Sequence, residues 1–174
     1  MKLDLRKIGI FVASFAVTTL LAIIVTMFVS KATVDNPLSA AYARLGFVHG
    51  FQLGKNGSKT RVIVEAGPVN DLRSAYLELF AKTASVIGDE RFELVLKDTR
   101  DEQLSQAFNE LSIYLQEGIA TGKFSEMATA VQSATSASGI QSKLTVDSQN
   151  VYVMLVRGDR YLYEVIPRGV GDKK

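Results

Sequence analysis

The 174-residue chain has no cysteine and no tryptophan, three prolines and a single histidine. Without cysteine there is no disulfide framework, no thiol nucleophile, no thiolate metal ligand and no N-terminal cysteine to carry lipid. His49 has no second ligand type at useful spacing, so packing in a strand accounts for it better than metal ligation or proton transfer. The chain also lacks a Gly-x-Ser-x-Gly elbow, a phosphate-binding loop and a His-Glu-x-x-His helix. No excess of one charge is present either, with 20 Lys or Arg against 18 Asp or Glu. No basic run with interleaved aromatics occurs, so nucleic acid is not an expected partner, and no cluster of bases points to anionic lipid headgroups. No cofactor is expected.

What the chain does have is one long apolar run. Ile8 to Val29 reads IGIFVASFAVTTLLAIIVTMFV without a charge. As a helix it would rise roughly 33 Å, enough for a hydrocarbon core of about 30 Å. Only Ser14, Thr18, Thr19 and Thr26 interrupt it, too few for the polar stripe of a soluble core helix. Lys2, Arg6 and Lys7 precede it and Lys31 follows, a modest bias toward a cytoplasmic N-terminus and an extracytoplasmic C-terminal domain. Ser30-Lys31-Ala32 offers small residues at signal-peptidase spacing, but the run exceeds the usual 7 to 15 residues or so of a cleaved signal, favouring a retained anchor. Of the charged residues, four basic and one acidic fall in residues 1–32, leaving sixteen basic and seventeen acidic. The remainder is close to neutral.

Taken in order, the expected organisation is a cytoplasmic tail (1–7), a transmembrane signal anchor (8–29), a juxtamembrane helix with a hairpin strand (30–60), an α/β domain (61–167) and a flexible tail (168–174). Asp35-Asn36-Pro37 reads as a cap and first turn, with Leu38, Ala41, Tyr42 and Leu45 on one face. LGFVHGFQLG admits two readings. Gly46, Gly50 and Gly54 fall four apart, a close-packing face if helical. Alternation of Phe47, His49, Phe51 and Leu53, followed by an Asn-Gly turn, makes a β-hairpin the favoured reading.

Val62-Ile63-Val64 predicts a strand; Val69, Leu72, Tyr76, Leu79, Phe80, Thr83 and Ile87 predict a helix stopped by Gly88; Arg91 to Asp98 predicts a second strand. That order implies a parallel βαβ crossover. A helix opening at Asp98 or Thr99 carries Leu104, Phe108, Leu111, Leu115 and Ile119, and another begins at Phe124. It runs into the small residues 133–139, either a packed helix end or a loop. Three strands then form a meander turning at 148–150 and at Gly158-Asp159. Val151 to Val156 has no polar face and should be central, covered on both sides. The fold class is thus α/β (α+β), a mixed-sheet domain behind one membrane helix.

Two candidate sites follow. Glu65, Asp98 and Asp101 stand at the carboxyl ends of the two parallel strands, where open α/β sheets place ligands, although capping and solvation account for acids there too. Tyr161 and Tyr163 share one face of the last strand near Arg157 and Arg160, a composition suited to protein contacts, although tyrosines can equally cover the sheet. No motif identifies a family. The outline resembles accessory or assembly subunits of cell-envelope machines, which sets an expectation of a non-enzymatic, membrane-anchored interaction domain. Its partners would be the bilayer, through residues 8–29, and other subunits or copies of itself. A membrane-anchored sensor or hydrolase using the strand-end acids is the alternative.

Overall fold

The structure is a computed structural model that describes residues 19–20 and 34–169. Apart from Thr19 and Leu20, the expected span and its flanks lie outside the described residues. Among the described residues, no helix is long and apolar enough to cross a membrane. The chain divides between Arg44 and Leu45 into two compact units.

The first unit contributes the short helix α1 (Asn36–Tyr42), with Pro37 in its first turn and Leu38 and Tyr42 buried. Asp35 is not the cap that its position suggests. Its own backbone is helical (φ −63°, ψ −49°), and its side chain bonds no helix amide.

The second unit runs β1 (Val48–Asn56), β2 (Lys59–Ala66), α2 (Leu72–Ile87), β3 (Phe92–Lys97), α3 (Glu102–Thr121), α4 (Phe124–Ser136), β4 (Gln141–Val146), β5 (Asn150–Arg157) and β6 (Arg160–Pro167). It is a mixed α/β arrangement whose strands form two sheets of three, ordered β1-β2-β3 and β4-β5-β6.

In the first sheet β1 and β2 are an antiparallel hairpin closed by Gly57-Ser58, with Gly57 at φ +60°. Glycine first in a two-residue loop is the arrangement that keeps strand twist continuous across the turn. The glycine-stripe helix is therefore not formed: Gly50 and Gly54 sit in β1, opposite Glu65 and Arg61, and Gly46 precedes the strand. The physical reason is that interior glycines weaken a helix by about 1 kcal/mol each, whereas here they leave room for their cross-strand neighbours. A Cβ on Gly50 would stand 3.4 Å from the Glu65 carboxylate. α2 then connects β2 to β3, which pair in parallel. Asp71, a cap that the hydrophobic pattern does not reveal, accepts from the amides of Arg73 and Ser74. Gly88, at φ +97°, ends the helix.

α3 starts two or three residues later than expected, capped by Asp101 rather than by Asp98 or Thr99. Both of those side chains are engaged with β6. Gly122 (φ +72°) ends α3, and α4 continues through the small residues to Ser136, its Thr135 buried and paired with Ser142. Gly118 lets α4 approach α3: a Cβ there would lie 2.6 Å from the Cβ of Met127. Leu104, Leu111 and Leu115 of α3 and Met127 and Val131 of α4 pack on Val151, Val153, Leu155 and Leu162. Tyr152, on the opposite face of β5, meets Tyr76 of α2 at 5.8 Å. β5 is central and covered on both faces, as its unbroken apolar run requires. At the start of the expected tail, the Arg168 guanidinium lies 4.5 Å from the Phe124 ring centroid and donates to the Asp147 carbonyl; residues 170–174 lie outside the described residues.

Two substitutions test these contacts by denaturant unfolding. Gly118→Ala should destabilise by about 1–3 kcal/mol, the overpacking at Met127 outweighing the better helix propensity of alanine. Asp71→Ala should cost about 1 kcal/mol by leaving the first amides of α2 without an acceptor.

Candidate functional site

The three strand-end acids each have a partner already. Glu65 accepts from Lys97 Nζ at 2.8 Å across the parallel pair, and that hydrogen bond and charge hold its carboxyl below the ordinary range. Arg61 and Glu93 repeat the arrangement at the other end of the same strands, at 3.1 Å. The Asp98 side chain is 2% exposed and accepts from Tyr163 N at 2.7 Å and from Arg100 Nε and Nη2 at 2.8 and 2.7 Å. Asp101 accepts from the Leu104 amide at 2.8 Å and pairs with Arg157; the amide first, then the guanidinium, keep it ionised to lower pH. Among the described residues no three His, Asp or Glu are grouped to hold a metal. The acids that the sequence sets at strand ends therefore serve separate hydrogen bonds rather than one converging site. His49 is exposed at the bulge of β1, with its ring against Gly67, where a Cβ would come within 2.7 Å of Nε2.

Tyr161 and Tyr163 are not an exposed surface. They are 6% and 3% exposed and stack at 4.9 Å between centroids. Their hydroxyls donate to the carbonyls of Ala66 and Gly67 at 2.9 and 3.2 Å, and the Val69 amide donates to Tyr163. Burial pushes the Tyr163 hydroxyl up to about 12. The tyrosines share a face, as their spacing indicates, but that face is turned inward against the end of β2 and the start of α2. Each ring buries its body and keeps one polar tip satisfied. Arg157 and Arg160 sit instead at the β5–β6 turn, Arg157 with Asp101 and Gln103, Arg160 exposed and 3.9 Å from Asp159. The four residues do not make one docking patch.

The feature that pattern reading missed lies between the sheets. Thr99 Oγ1 accepts from the Tyr161 amide and Asp98 from the Tyr163 amide, so β6 runs back antiparallel to β3 and is held at this end by side chains. Arg100 completes the clasp by donating to Glu164 at 2.8 Å and to the Tyr163 carbonyl. Beyond it the strands part around a cleft of about 620 Å³. Phe92 to Leu96 of β3 form one wall, Val165 and Pro167 of β6 the other, and Tyr76 and Phe80 of α2 line it as well. Phe80 packs on Phe92 at 4.9 Å, which fixes that floor.

Backbone alternation decides what the walls present. Thr60 donates to the Arg91 carbonyl, so in this parallel ladder the odd residues of β3 face β2 and the groups of Phe92, Leu94 and Leu96 face the cleft. In the β5–β6 hairpin Arg157 and Arg160 flank a two-residue loop, so Tyr161, Tyr163, Val165 and Pro167 turn their backbone outward. Tyr161 and Tyr163 are taken by the clasp, and Pro167 has no donor. Phe92 at the outer end, Leu94, Leu96 and Val165 remain, and among the described residues no ladder joins their strands. The only sequence signal was the Asp98-Arg100 pair directly after a strand, which looks like ordinary helix capping.

Comparison with known protein families, curated proteins and solved structures finds no match for this chain.

Asp98→Ala should destabilise by on the order of 3 kcal/mol in denaturant titrations, because it strands Arg100 and the Tyr163 amide together. Asp98→Asn, which keeps an acceptor oxygen, should cost less. Glu65, Asp71, Glu93 and Asp101 are all held below the ordinary carboxylate range by hydrogen bonds from Lys97, Ser74, Arg61 and the Leu104 amide respectively. Between their lowered values and the ordinary ones the unfolded chain binds more protons than the folded one, so stability should be full above about pH 5 and fall progressively as pH drops through 4. Unfolding midpoints at pH 7, 5 and 3 measure this.

Proposed function

We propose that this is a non-enzymatic, single-pass membrane protein, anchored through residues 8–29 with its N-terminus in the cytoplasm. Its extracytoplasmic α/β domain binds other polypeptides, as an accessory or assembly subunit of a membrane or cell-envelope complex. The observation that carries the reading is the cleft bounded by β3 and β6: it is walled by strand edges and floored by aromatic rings. Clefts of such size also suit small molecules, but most of the charged groups here are already paired within the domain. Arg100 and Glu164 are paired, and Glu93 accepts from Arg61 and Asn56. The sensor or hydrolase alternative has less support, since Glu65, Asp98 and Asp101 are each occupied by a basic partner or an amide.

Crosslinking with mass spectrometry on native membranes, using the intact chain, tests the proposal. Crosslinks from Lys55, Lys59 or Lys97 to another polypeptide or a second copy are expected. A membrane-bound monomer without crosslinked partners overturns the interaction role. In parallel, calcium or other divalent cations should leave the melting temperature unchanged, because only a ligand bound by the native state raises its stability. A cation-dependent rise abolished by Glu65→Gln and Asp98→Asn would favour the sensor instead.

A further inference from the structure

The two walls of the cleft are both strand edges, and they run antiparallel to each other. Proteins normally guard an exposed edge with proline, charge, a bulge or a covering element. Here the guards stand at the ends. The Asp98–Arg100 clasp occupies the outward groups of Tyr161 and Tyr163, and Pro167 removes the outward donor at the far end of β6. Between them, the outward backbone groups of Leu94, Leu96 and Val165 border the open space. The charged side chains beside these groups, Glu93, Lys97 and Glu164, are each paired within the domain, with Arg61, Glu65 and Arg100, and Tyr76 and Phe80 offer an apolar floor on the α2 side.

We propose that the cleft receives an extended segment of a partner polypeptide as an additional strand between β3 and β6, joining the two three-stranded sheets into one. Because the walls are antiparallel, the inserted strand lies parallel to one and antiparallel to the other. Its alternate residues bond to opposite walls, a consequence of strand geometry. β3 is six residues long, which sets the length of the inserted segment at about six residues, or ~20 Å. One set of side chains meets Tyr76 and Phe80 and should be apolar. The other set emerges on the face that carries the Arg61–Glu93 and Lys97–Glu65 pairs and should be polar.

This inference rests on the polypeptide-binding reading and specifies how the binding occurs. The test uses the full chain in lipid nanodiscs and the capped heptapeptide Thr-Val-Thr-Val-Thr-Val-Thr as probe, with two derivatives N-methylated at every Val or at every Thr. At millimolar peptide, amide exchange at Leu94, Leu96 and Val165 should slow by at least about tenfold. Both methylated derivatives should fail to protect, since each loses the bonds to one wall. Exchange unchanged at the highest peptide concentration overturns the proposal. Loss with only one derivative overturns insertion in favour of addition to a single edge. Protection that is present without peptide and rises with protein concentration assigns the cleft to a second copy instead. Membrane crosslinks that join a partner elsewhere on the domain would leave the interaction role standing and remove only this mode of binding.

Discussion

The Asp98 carboxylate, accepting from the amide of Tyr163, is the constraint on which the arrangement of this domain depends. It is a side chain doing what a strand would otherwise do. Had β6 continued along β3 as a ladder partner, the six strands would form one sheet and no cleft would exist. Instead the ladder is replaced at one end by a carboxylate, a threonine hydroxyl and a guanidinium, and the strands are free to diverge beyond them. The stacked tyrosines reinforce the same end, bonding the carbonyls of Ala66, the last residue of β2, and of Gly67. Both sets of contacts act on Tyr161 and Tyr163, one through the backbone and the other through the hydroxyls. A carboxylate shielded from solvent that accepts from one guanidinium and from the amides of Arg100 and Tyr163 has its lone pairs well satisfied, which is the condition for such a group to stabilise rather than strain a core.

Helix α2 explains why the divergence does not close. Its residues pack on both sheets: Phe80 against Phe92 of β3, Tyr76 against Tyr152 of β5. Two aromatic rings in successive turns make a floor wider than a single strand needs. Bringing β3 and β6 together along their full length would have to displace them. On the other side of the second sheet, α3 and α4 are drawn close by Gly118 and hold β5 and β6 rigidly. The cleft is thus set by packing on both sides and does not depend on the clasp alone.

Periodicity in the sequence made the secondary elements legible and left their sidedness partly hidden. The hairpin, the βαβ crossover, the long α3 stripe and the meander all follow from alternation, helical spacing and turn glycines, because those signals are local. Burial of β5 on both faces was readable from Val151 to Val156 for the same reason. Tyr161 and Tyr163 show where this fails. Spacing places them on one face of β6, but whether that face is outward depends on α2 and the end of β2, some ninety residues away in sequence. Asp98, Asp101 and Glu65 fail in a related way. An acid at a strand end looks the same in sequence whether it awaits a ligand, caps a helix or clasps a distant edge. The division of six strands into two sheets had no local signal, because it arises from a contact between residues 98–100 and 161–164.

Strand insertion also has an energetic consequence for selectivity. Ordering about six residues costs on the order of 1–2 kcal/mol each. Net gains of about 0.5–1.5 kcal/mol per backbone hydrogen bond roughly offset this and leave little affinity from the main chain alone. Discrimination among segments must therefore come from the side chains that reach Tyr76 and Phe80, where each fully buried aliphatic or aromatic group contributes about 1.5–3 kcal/mol. An edge on its own would accept many strands weakly. An edge pair above an aromatic floor favours those whose apolar residues fall at alternate positions, so the same alternation that builds the domain's own sheets would select what joins them.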